Sequence, residues 1–380
     1  MKHLAIGGSS FARTLACPGW IKASENLPKT PPGPSARVGS MQHMVQEVCQ
    51  RDGVVPSDCL GMTYVEGLEE LTFTENDLQT ADIIYRRTNQ LMDELDIDEV
   101  EFEPFVQLIP DVAGGSIDVL GLSADRKTIL IADYKTGRIE VSPVENAQLM
   151  FYAICAGVDP ATKDLFKNVK HVVLAIIQPT TKAVVTTWEC PRDDLRIFKS
   201  KTLDAIKKAQ GKNPRRIPGP ECKWCPAAPY CQPRKAAVIA AKALTPDHKG
   251  DLQASADILE EVEAWVSSVK AELFTQLSRG LVIDGWKIVD RKGARVWTDE
   301  IVAMAAFMKA NIPPAVFMKN TLLTAPQTIA ALKKAKIEFD LDDHVEFKSS
   351  GVTLAPESDG RDAVTADGVP DNLKKLVGKK

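Results

Sequence analysis

The pattern of apolar and polar positions predicts helices over the first hundred residues. SSFARTLACPGWIKAS begins as a helix and is broken by the motif CPG. In VGSMQHMVQEVCQR the apolar positions Met41, Met44, Val45 and Val48 fall on one side, which is the period of an amphipathic helix. A further helix is predicted from about Glu75 to Leu95.

The period then changes from helical to alternating. EVEFEPFVQLI, SIDVLGL and ILIADYK predict three strands, and the turn residues of GLSADRKT join the last two as a hairpin. A helix is predicted from Ser142 to Ala156, followed by the strands HVVLAIIQP and AVVTTWE and a basic helix from about Asp193 to Gln210. This order predicts an α/β fold in which a mixed central sheet is flanked by helices.

The later part of the chain has a different composition. After the connection NPRRIPGPE and a cysteine-rich loop, the sequence becomes alanine-rich, with a long amphipathic stretch from Asp251 to Leu277. We place a boundary near Thr245-Pro246. The predicted division is a core domain at 1–236, a mainly helical accessory region at 237–348 and a polar, partly flexible tail at 349–380.

Composition and charge narrow the class of protein. The chain is 44% hydrophobic and 26% charged, as in soluble globular proteins, and its apolar runs are too short to span a bilayer. MKHLAIGGSS lacks the apolar region of a signal peptide, so we expect a cytosolic protein without a membrane partner. The net charge of −4 argues against general coating of nucleic acid but allows a local basic face.

The charge is unevenly distributed. Residues 58–103, predicted to be an acidic helical insertion, carry fourteen acidic residues against two basic ones. Residues 191–235 carry twelve basic residues against four acidic ones, which makes this segment the best candidate for a nucleic-acid face. A solvated surface helix of mixed charge is the alternative interpretation of either segment.

Three residues of the predicted hairpin form a candidate metal site. Residues two apart on a strand point to the same side, so Asp133 and Lys135 face together, and Asp118 comes from the adjacent strand. Carboxylates at this spacing suit Mg²⁺ or Mn²⁺, and a lysine beside them can stabilise charge on a phosphate. Ordinary strand-end carboxylates with a solvated lysine would give the same pattern. The apolar run ILIA before Asp133 favours the metal site, because a buried charge needs a partner.

GSIDVLGL, ILIADYKTG and NAQLMFYA, in this order, resemble the PD-(D/E)xK nuclease superfamily in its RecB-like branch, over about residues 9–235. The four motifs of that branch correspond to Gly39 with His43, Gly115 with Asp118, Asp133 with Lys135, and Gln148 with Tyr152. The resemblance implies a restriction-endonuclease-like fold and a metal-dependent DNA nuclease, most simply an exonuclease. SSFARTLACPG and GVTLAPESDGRDA resemble a group of these nucleases encoded by bacteriophages, which implies a role in phage or prophage recombination and repair inside a bacterial cell.

The resemblance also implies roles for individual residues. His43, Asp118, Asp133 and the Tyr134 carbonyl would bind Mg²⁺ or Mn²⁺, and Lys135 would be the catalytic lysine. Gln148 and Tyr152 would position DNA, single-stranded or as duplex ends, and a recombination or annealing protein would be a partner. Many members of the superfamily carry Glu where this chain has Asp133. The upstream acid remains open among Glu47, Glu101 and Glu103, and we interpret all three as solvated.

Four of the eight cysteines form a second candidate site. Cys222, Cys225 and Cys231 lie in one short loop, and Cys17 beside Pro18 is the best candidate for the fourth ligand of Zn²⁺ or of a cubane cluster. The arrangement resembles RecB-like nucleases with an iron–sulfur cluster, such as the AddB type and the CRISPR adaptation nucleases, and implies a structural [4Fe–4S] cluster held by these four cysteines. Structural Zn²⁺ is the alternative.

The remaining cysteines are expected to be buried, unreactive thiols at positions 49, 59, 155 and 190. Trp224 and Tyr230 lie among basic residues, where they could stack on bases or pack around the cysteine site.

Two other functional classes remain. One is a catalytically inactive DNA-binding or assembly subunit that keeps the nuclease fold; the intact set of Asp118, Asp133 and Lys135 argues against it. The other is a zinc-ribbon interaction protein.

Overall fold

The computed structural model describes residues 4–27, 33–66, 69–241, 256, 259–291, 293–319, 321–341, 343–348 and 351–364. The chain forms two compact units, Met1–Val266 and Ser267–Lys380. The boundary predicted near Thr245-Pro246 lies outside the described residues, as do 349–350 and 365–380 of the predicted tail. No helix among the described residues is long and apolar enough to cross a membrane.

The first unit is built on a mixed five-stranded sheet with the order β3-β6-β7-β8-β9, in which only β7 and β8 are parallel. Two antiparallel ribbons, β1-β2 and β4-β5, accompany it. The strands of this unit are β1 Thr63–Glu66, β2 Glu69–Thr72, β3 Ile97–Phe102, β4 Phe105–Ile109, β5 Ala113–Ser116, β6 Val119–Ser123, β7 Thr128–Tyr134, β8 His171–Ile177 and β9 Val185–Glu189.

The predicted hairpin is confirmed as β6-β7. Its turn is closed by Asp125, whose carboxylate accepts hydrogen bonds from the Ser123 hydroxyl at 2.8 Å and the Lys127 amide at 2.9 Å. Every residue of β6 and nearly all of β7 are buried, which explains the unbroken apolar runs in both segments.

Helices cover both faces of the sheet. In the first unit they are α1 Phe11–Ala16, α2 Trp20–Ser24, α3 Pro34–Asp52, α4 Glu75–Glu94, α5 Ala147–Ala156, α6 Arg192–Ala209 and α7 Gln232–Ala241. The break between α1 and α2 confirms the interruption predicted at CPG. Helix α5 starts later than predicted, because the Asn146 side chain caps it by accepting hydrogen bonds from the amides of Gln148 and Leu149.

The apolar core lies on the two faces of the sheet. On one face α1, α5 and α6 pack together, with the rings of Phe11 and Phe151 stacked at 4.3 Å. On the other face Ile84 and Leu91 of α4 pack against strands β6, β7 and β8. Met41 and Val45 of α3 are fully buried in a smaller cluster with α4, so the predicted amphipathic helix is confirmed.

The second unit contains helices and strands. Helix α8 Leu259–Ser278 crosses the boundary between the units, and α9 Glu300–Lys309, α10 Pro314–Phe317 and α11 Ala325–Ala335 follow. Phe307 and Phe317 lie at the centre of an apolar cluster that these last three helices share. The strands, which the sequence analysis did not predict, are β10 Trp286–Asp290 with β13 Val352–Pro356, and β11 Ala294–Trp297 with β12 Val345–Lys348.

Candidate functional site

Three neighbouring strands bring three carboxylates to one place. Asp118 immediately precedes β6, and the register of β6 with β7 sets it across from Asp133. Glu103 immediately follows β3, and its amide donates a hydrogen bond to the Asp118 carbonyl at 3.2 Å. The Asp118 side chain is fixed in turn by the Tyr134 amide, which donates to Asp118 Oδ2 at 2.6 Å.

Helix α3 adds His43 to this group. His43 Nδ1 lies 3.1 Å from Asp118 Oδ1 and 3.7 Å from Glu103 Oε1. The ligand atoms of His43, Glu103 and Asp118 all lie within 4.8 Å of one another. One imidazole nitrogen and two carboxylates at this spacing can hold a divalent cation.

Asp133, Lys135 and Gln148 form a second, adjoining network. Lys135 Nζ lies 2.6 Å from Asp133 Oδ2 and donates to Gln148 Oε1 at 3.0 Å, while Gln148 Nε2 donates to Asp133 Oδ1 at 2.5 Å. Asp133 Oδ2 is buried, and the Lys135 ammonium is paired with it. The capped first turn of α5 holds Gln148, so the network is anchored to both the sheet and a helix.

Burial and mutual charge shift the protonation of these groups. Burial raises the pKa of Glu103 to about 7, with the Asp118 charge adding to the shift and His43 opposing it. Burial also raises the pKa of Asp133, although Lys135 opposes it. Burial alone would raise the pKa of Asp118 and lower that of His43, but the two partners outweigh it: the pKa of Asp118 is lowered and that of His43 is raised well above its ordinary value.

Tyr152 lies one turn beyond Gln148 and is 7% exposed. A Cβ atom on Gly8 would lie 2.3 Å from its ring, so this glycine is needed to seat the ring, and one on Gly115 would lie 3.2 Å away, which is a tight contact. Gly39, which the resemblance pairs with His43, lies close to Thr136: a Cβ there would be 3.1 Å from the Thr136 hydroxyl oxygen.

These residues line one open cleft of about 700 Å³. Glycines and serines from residues 7–10, from the first turns of α3 and from 114–116 form much of its wall. Small side chains there leave room for a polymeric ligand to approach the backbone closely.

Of the open acids, Glu103 belongs to the site, so its interpretation as solvated was wrong. A regular strand would keep Glu101 and Glu103 on one side. Glu103 instead has φ of 54°, which breaks the alternation between β3 and β4 and turns its side chain inward, while Glu101 stays exposed. Glu47 forms a partly exposed pair with Arg51 at 3.6 Å. The signal in the sequence was the proline after Glu103, which marks the break.

The four predicted cysteines share a second, smaller cavity. Cys17 lies in the break between α1 and α2, and residues 222–231, which come much later in the chain, line the same cavity. The amide of Ile217 donates to Cys17 Sγ at 3.2 Å, and that of Gly219 donates to Cys222 Sγ at 3.4 Å. Gly19 packs against this segment so closely that a Cβ would lie 2.6 Å from the Pro214 carbonyl oxygen.

The surroundings of this cavity are cationic. Arg13 and Arg234 line it, and Arg234 is only 1% exposed. Burial lowers the pKa of Arg13, against the opposing charges of Cys225 and Glu221. Trp224 and Tyr230 are 61% and 50% exposed, so both rings present a large part of their surface to solvent.

The other four cysteines are buried, as predicted. Two of them are not isolated, because Cys49 Sγ lies 3.7 Å from Cys59 Sγ. Burial raises the pKa of Cys49 to about 12, which keeps it a thiol at neutral pH.

The fold and the site thus define a mixed α/β protein with a carboxylate–histidine cleft and a four-cysteine cavity. The chain belongs to the DUF2800 family, described as proteins of unknown function, whose family model matches residues 3–362. A search of curated proteins finds no match.

Three solved structures illustrate the range of similarity, all at low identity. LHK-Exo in complex with dAMP is 11% identical, with 53% of this chain and 92% of that chain covered and a TM-score of 0.24. A protein from Eubacterium rectale, described as a candidate exonuclease, is 10% identical over 55% and 82% of the two chains, with a TM-score of 0.31. Protein VC1899 from Vibrio cholerae is 14% identical over 53% and 57%, with a TM-score of 0.18.

Proposed function

We propose that this chain is a metal-dependent DNA nuclease of the RecB-like PD-(D/E)xK kind, acting as an exonuclease on DNA ends. The observation that carries the proposal is the meeting of Asp118, Asp133 and Lys135 on adjacent strands, with His43 and Glu103 beside them in an open cleft. The nuclease domain would be residues 1–236, with 237–348 as an accessory region.

The residues fit a divalent cation such as Mn²⁺ or Mg²⁺. His43, Glu103 and Asp118 offer one nitrogen and hard oxygen ligands within 4.8 Å of one another, and Asp133 offers a further buried carboxylate. The Tyr134 carbonyl, at the end of β7, is proposed as a further ligand. When bound, the ion supplies Lewis acidity towards the phosphodiester and lowers the pKa of water.

The protein's own side chains would stabilise the developing charge, hold the site together and contact the DNA. Lys135 places a partly exposed ammonium next to the carboxylates, where it can hydrogen-bond the phosphate and stabilise the charge that develops on it. Gln148 holds both Lys135 and Asp133 in place through its two amide atoms. Tyr152 lines the same cleft and is proposed to contact the DNA together with Gln148.

We further propose that Cys17, Cys222, Cys225 and Cys231 hold a structural [4Fe–4S] cluster, with Zn²⁺ as the alternative. The four thiols line one cavity, and two of their sulfur atoms already accept amide hydrogen bonds, as thiolate ligands commonly do. Protein purified without oxygen should be brown and contain iron; a colourless sample with one zinc per chain would decide for Zn²⁺.

The proposed setting is phage or prophage recombination in a bacterial cytoplasm, with a recombination or annealing protein as partner. Its support is the pair of segments SSFARTLACPG and GVTLAPESDGRDA. Cleavage that increases when a single-strand annealing protein is added would support this setting, and indifference to such proteins would contradict it.

A cleavage assay tests the main proposal. End-labelled and circular DNA, single- and double-stranded, would be incubated with Mg²⁺ or Mn²⁺ and wild type, Asp133→Ala or Lys135→Ala. Asp164→Ala and Lys167→Ala are matched controls, because this exposed ion pair of the same two residue types lies outside the cleft. We expect each site variant to lose at least about a hundredfold in rate and the controls to keep theirs. Wild type that binds DNA without metal-dependent cleavage would instead identify an inactive DNA-binding subunit.

A further inference from the structure

The cavity of the four cysteines is lined by arginine side chains as well as by the thiols. Arg13, Arg216 and Arg234 line it, and Glu221 is the one carboxylate among the described residues that do so. Arg216 is exposed, so water screens it. Arg13 and Arg234 are withdrawn from solvent, and Arg234 is the largest fully buried side chain of the described structure.

Burying a guanidinium is costly unless negative charge lies close to it. The groups that interact electrostatically with Arg13 include Cys225, Glu221 and Cys222, and Arg234 interacts in the same way with Cys222. Neutral thiols would supply no countercharge. Four thiolates around either one Zn²⁺ or a [4Fe–4S]²⁺ cluster make a centre with two negative charges, which the two guanidinium groups lining the same cavity can offset.

We propose that Arg13 and Arg234 are the counter-ions of a doubly negative four-thiolate metal centre, and that they position and retain it by charge without being ligands. This inference rests on the proposed metal centre at the cysteines, but it holds equally for zinc and for an iron–sulfur cluster. Arg13 is held by the Trp20 ring, 4.6 Å from its guanidinium carbon, and Arg234 belongs to α7, which directly follows Cys231. The two arginines therefore come from the same two chain segments as the cysteines.

The test uses the full-length protein purified without oxygen, as wild type, Arg13→Gln, Arg234→Gln and Arg234→Lys. Arg215→Gln is the matched control, because Arg215 is exposed and lies next to the cavity without lining it. Iron and zinc per chain are measured first, followed by the rate of metal loss to a chelator and the melting temperature with and without the metal.

We expect Arg234→Gln and Arg13→Gln to lose the metal at least about tenfold faster than wild type, since an uncompensated charge near the centre is worth roughly 1.4 kcal/mol or more. Arg234→Lys should recover part of the retention, and the control should match wild type. The gain in melting temperature on metal binding should shrink in both Gln variants. A purely structural arginine would instead lower the melting temperature of both forms equally. For an iron–sulfur centre the midpoint potential should also become more negative, because removing a positive charge disfavours the added electron.

The outcomes separate the two proposals. Wild type without stoichiometric iron or zinc would overturn the metal centre, and this inference with it. If wild type holds the metal, but the Gln variants release it at the wild-type rate and gain as much melting temperature as wild type on binding it, only the role of the arginines is overturned. Arg13→Gln keeps the test decisive if Arg234→Gln does not fold, because Arg13 is only partly buried.

Discussion

At the scale of single residues, the cleft is a set of charges that depend on one another. Asp118 keeps its negative charge because His43 and the Tyr134 amide stabilise it, whereas burial favours the protonated form of Glu103. A divalent ion would have to displace protons from Glu103 and His43 before binding between them. The affinity that we propose for a metal at this site would therefore depend on pH as well as on geometry.

Metal affinity should rise with pH through neutrality. The pKa of Glu103 is raised to about 7, above its ordinary 4.5, so the metal-free folded protein holds this proton more tightly than the unfolded chain does. That contribution to stability is complete below about pH 4.5 and is lost as the pH rises through about 7. Affinity for Mn²⁺ should rise about tenfold per pH unit for each proton displaced, flattening for Glu103 above about pH 7.

Calorimetric titration of wild type and Glu103→Gln with Mn²⁺ between pH 6 and 8.5 checks this. The Gln variant should bind more weakly, with a shallower rise that reflects His43 alone, whose pKa is also raised. Parallel pH profiles for the two proteins would exclude Glu103 as a ligand.

Gly8→Ala should dislodge Tyr152. The new Cβ would lie 2.3 Å from the tyrosine ring, which no small adjustment accommodates, and overpacking of this kind costs about 1–3 kcal/mol. Gly7→Ala is the control, because its Cβ would meet nothing closer than 3.8 Å. Urea unfolding of Gly8→Ala, Tyr152→Leu and the double variant measures the coupling. Additive losses of stability would mean that the glycine and the ring do not share one space.

At the scale of elements, the period of the sequence predicted the core well. The helices on both faces and strands β6, β7, β8 and β9 agree with their apolar patterns. EVEFEPFVQLI was predicted as one strand but forms β3 and β4, because Glu103 adopts a left-handed backbone conformation before Pro104. SIDVLGL was likewise predicted as one strand, but Ser116 is the last residue of β5, and the strand that joins the main sheet begins only at Val119.

The periodicity of the sequence does not indicate which strands pair with each other when they are far apart in the chain. The parallel alignment of β7 with β8, and the joining of β10 to β13 across some sixty residues, depend on tertiary contacts that leave no local period. Of the residues in the cleft, Asp118, Asp133 and Lys135 were singled out by their spacing on the predicted hairpin, and His43 and Gln148 by the resemblance to RecB-like nucleases; all five line the same cleft. Glu103 was named only as one of three open acids and interpreted as solvated, because its inward position depends on one unusual backbone angle.

Helix α6 supports a prediction about DNA contact. At 100° per residue Arg192, Arg196, Lys199 and Lys207 fall on one face, and within the described structure only Arg196 of these has an ion pair, with Asp193 at 3.3 Å. We expect this face to contact phosphates. Replacing Arg192, Lys199 and Lys207 by Gln should reduce the slope of log K against log salt by about 2 for single strands and about 2.7 for duplex DNA.

The control for this experiment removes the same net charge elsewhere. Arg126, Lys127 and Lys167 are exposed and already paired with acidic residues, so their Gln variants should leave the slope unchanged. Binding would be measured in EDTA so that cleavage does not interfere. Equal slopes for the α6 variant and the control would place the DNA on another surface.

At the scale of the whole molecule, the cysteine cavity connects the two ends of the first unit. Ile217 and Cys17, whose amide and sulfur are hydrogen-bonded, are 200 residues apart in the chain. The segment that leads into Cys17 also supplies residues 7–10 of the cleft wall, and it packs against α5 and α6. A metal held between Cys17 and residues 222–231 would therefore stabilise the fold of the first unit and the shape of its cleft together.

Cys17→Ser should loosen the first unit and leave the second one unchanged. Closing a loop of about 200 residues restricts the unfolded chain by roughly 4–5 kcal/mol, and losing one ligand forfeits much of that. Hydrogen exchange should show lost protection in α1, α2 and residues 213–231, extending into β6 and β7. Hydrogen exchange in residues 267–364 should stay as in wild type, because these residues belong to the second unit, which has its own apolar cluster. Cys190→Ala is the control, because Cys190 is a buried cysteine outside the cavity. Adding a chelator should change hydrogen exchange in this variant as much as it does in wild type. Exchange in metal-loaded Cys17→Ser that matches wild type throughout the first unit would show that the connection between its two ends does not depend on the cysteines.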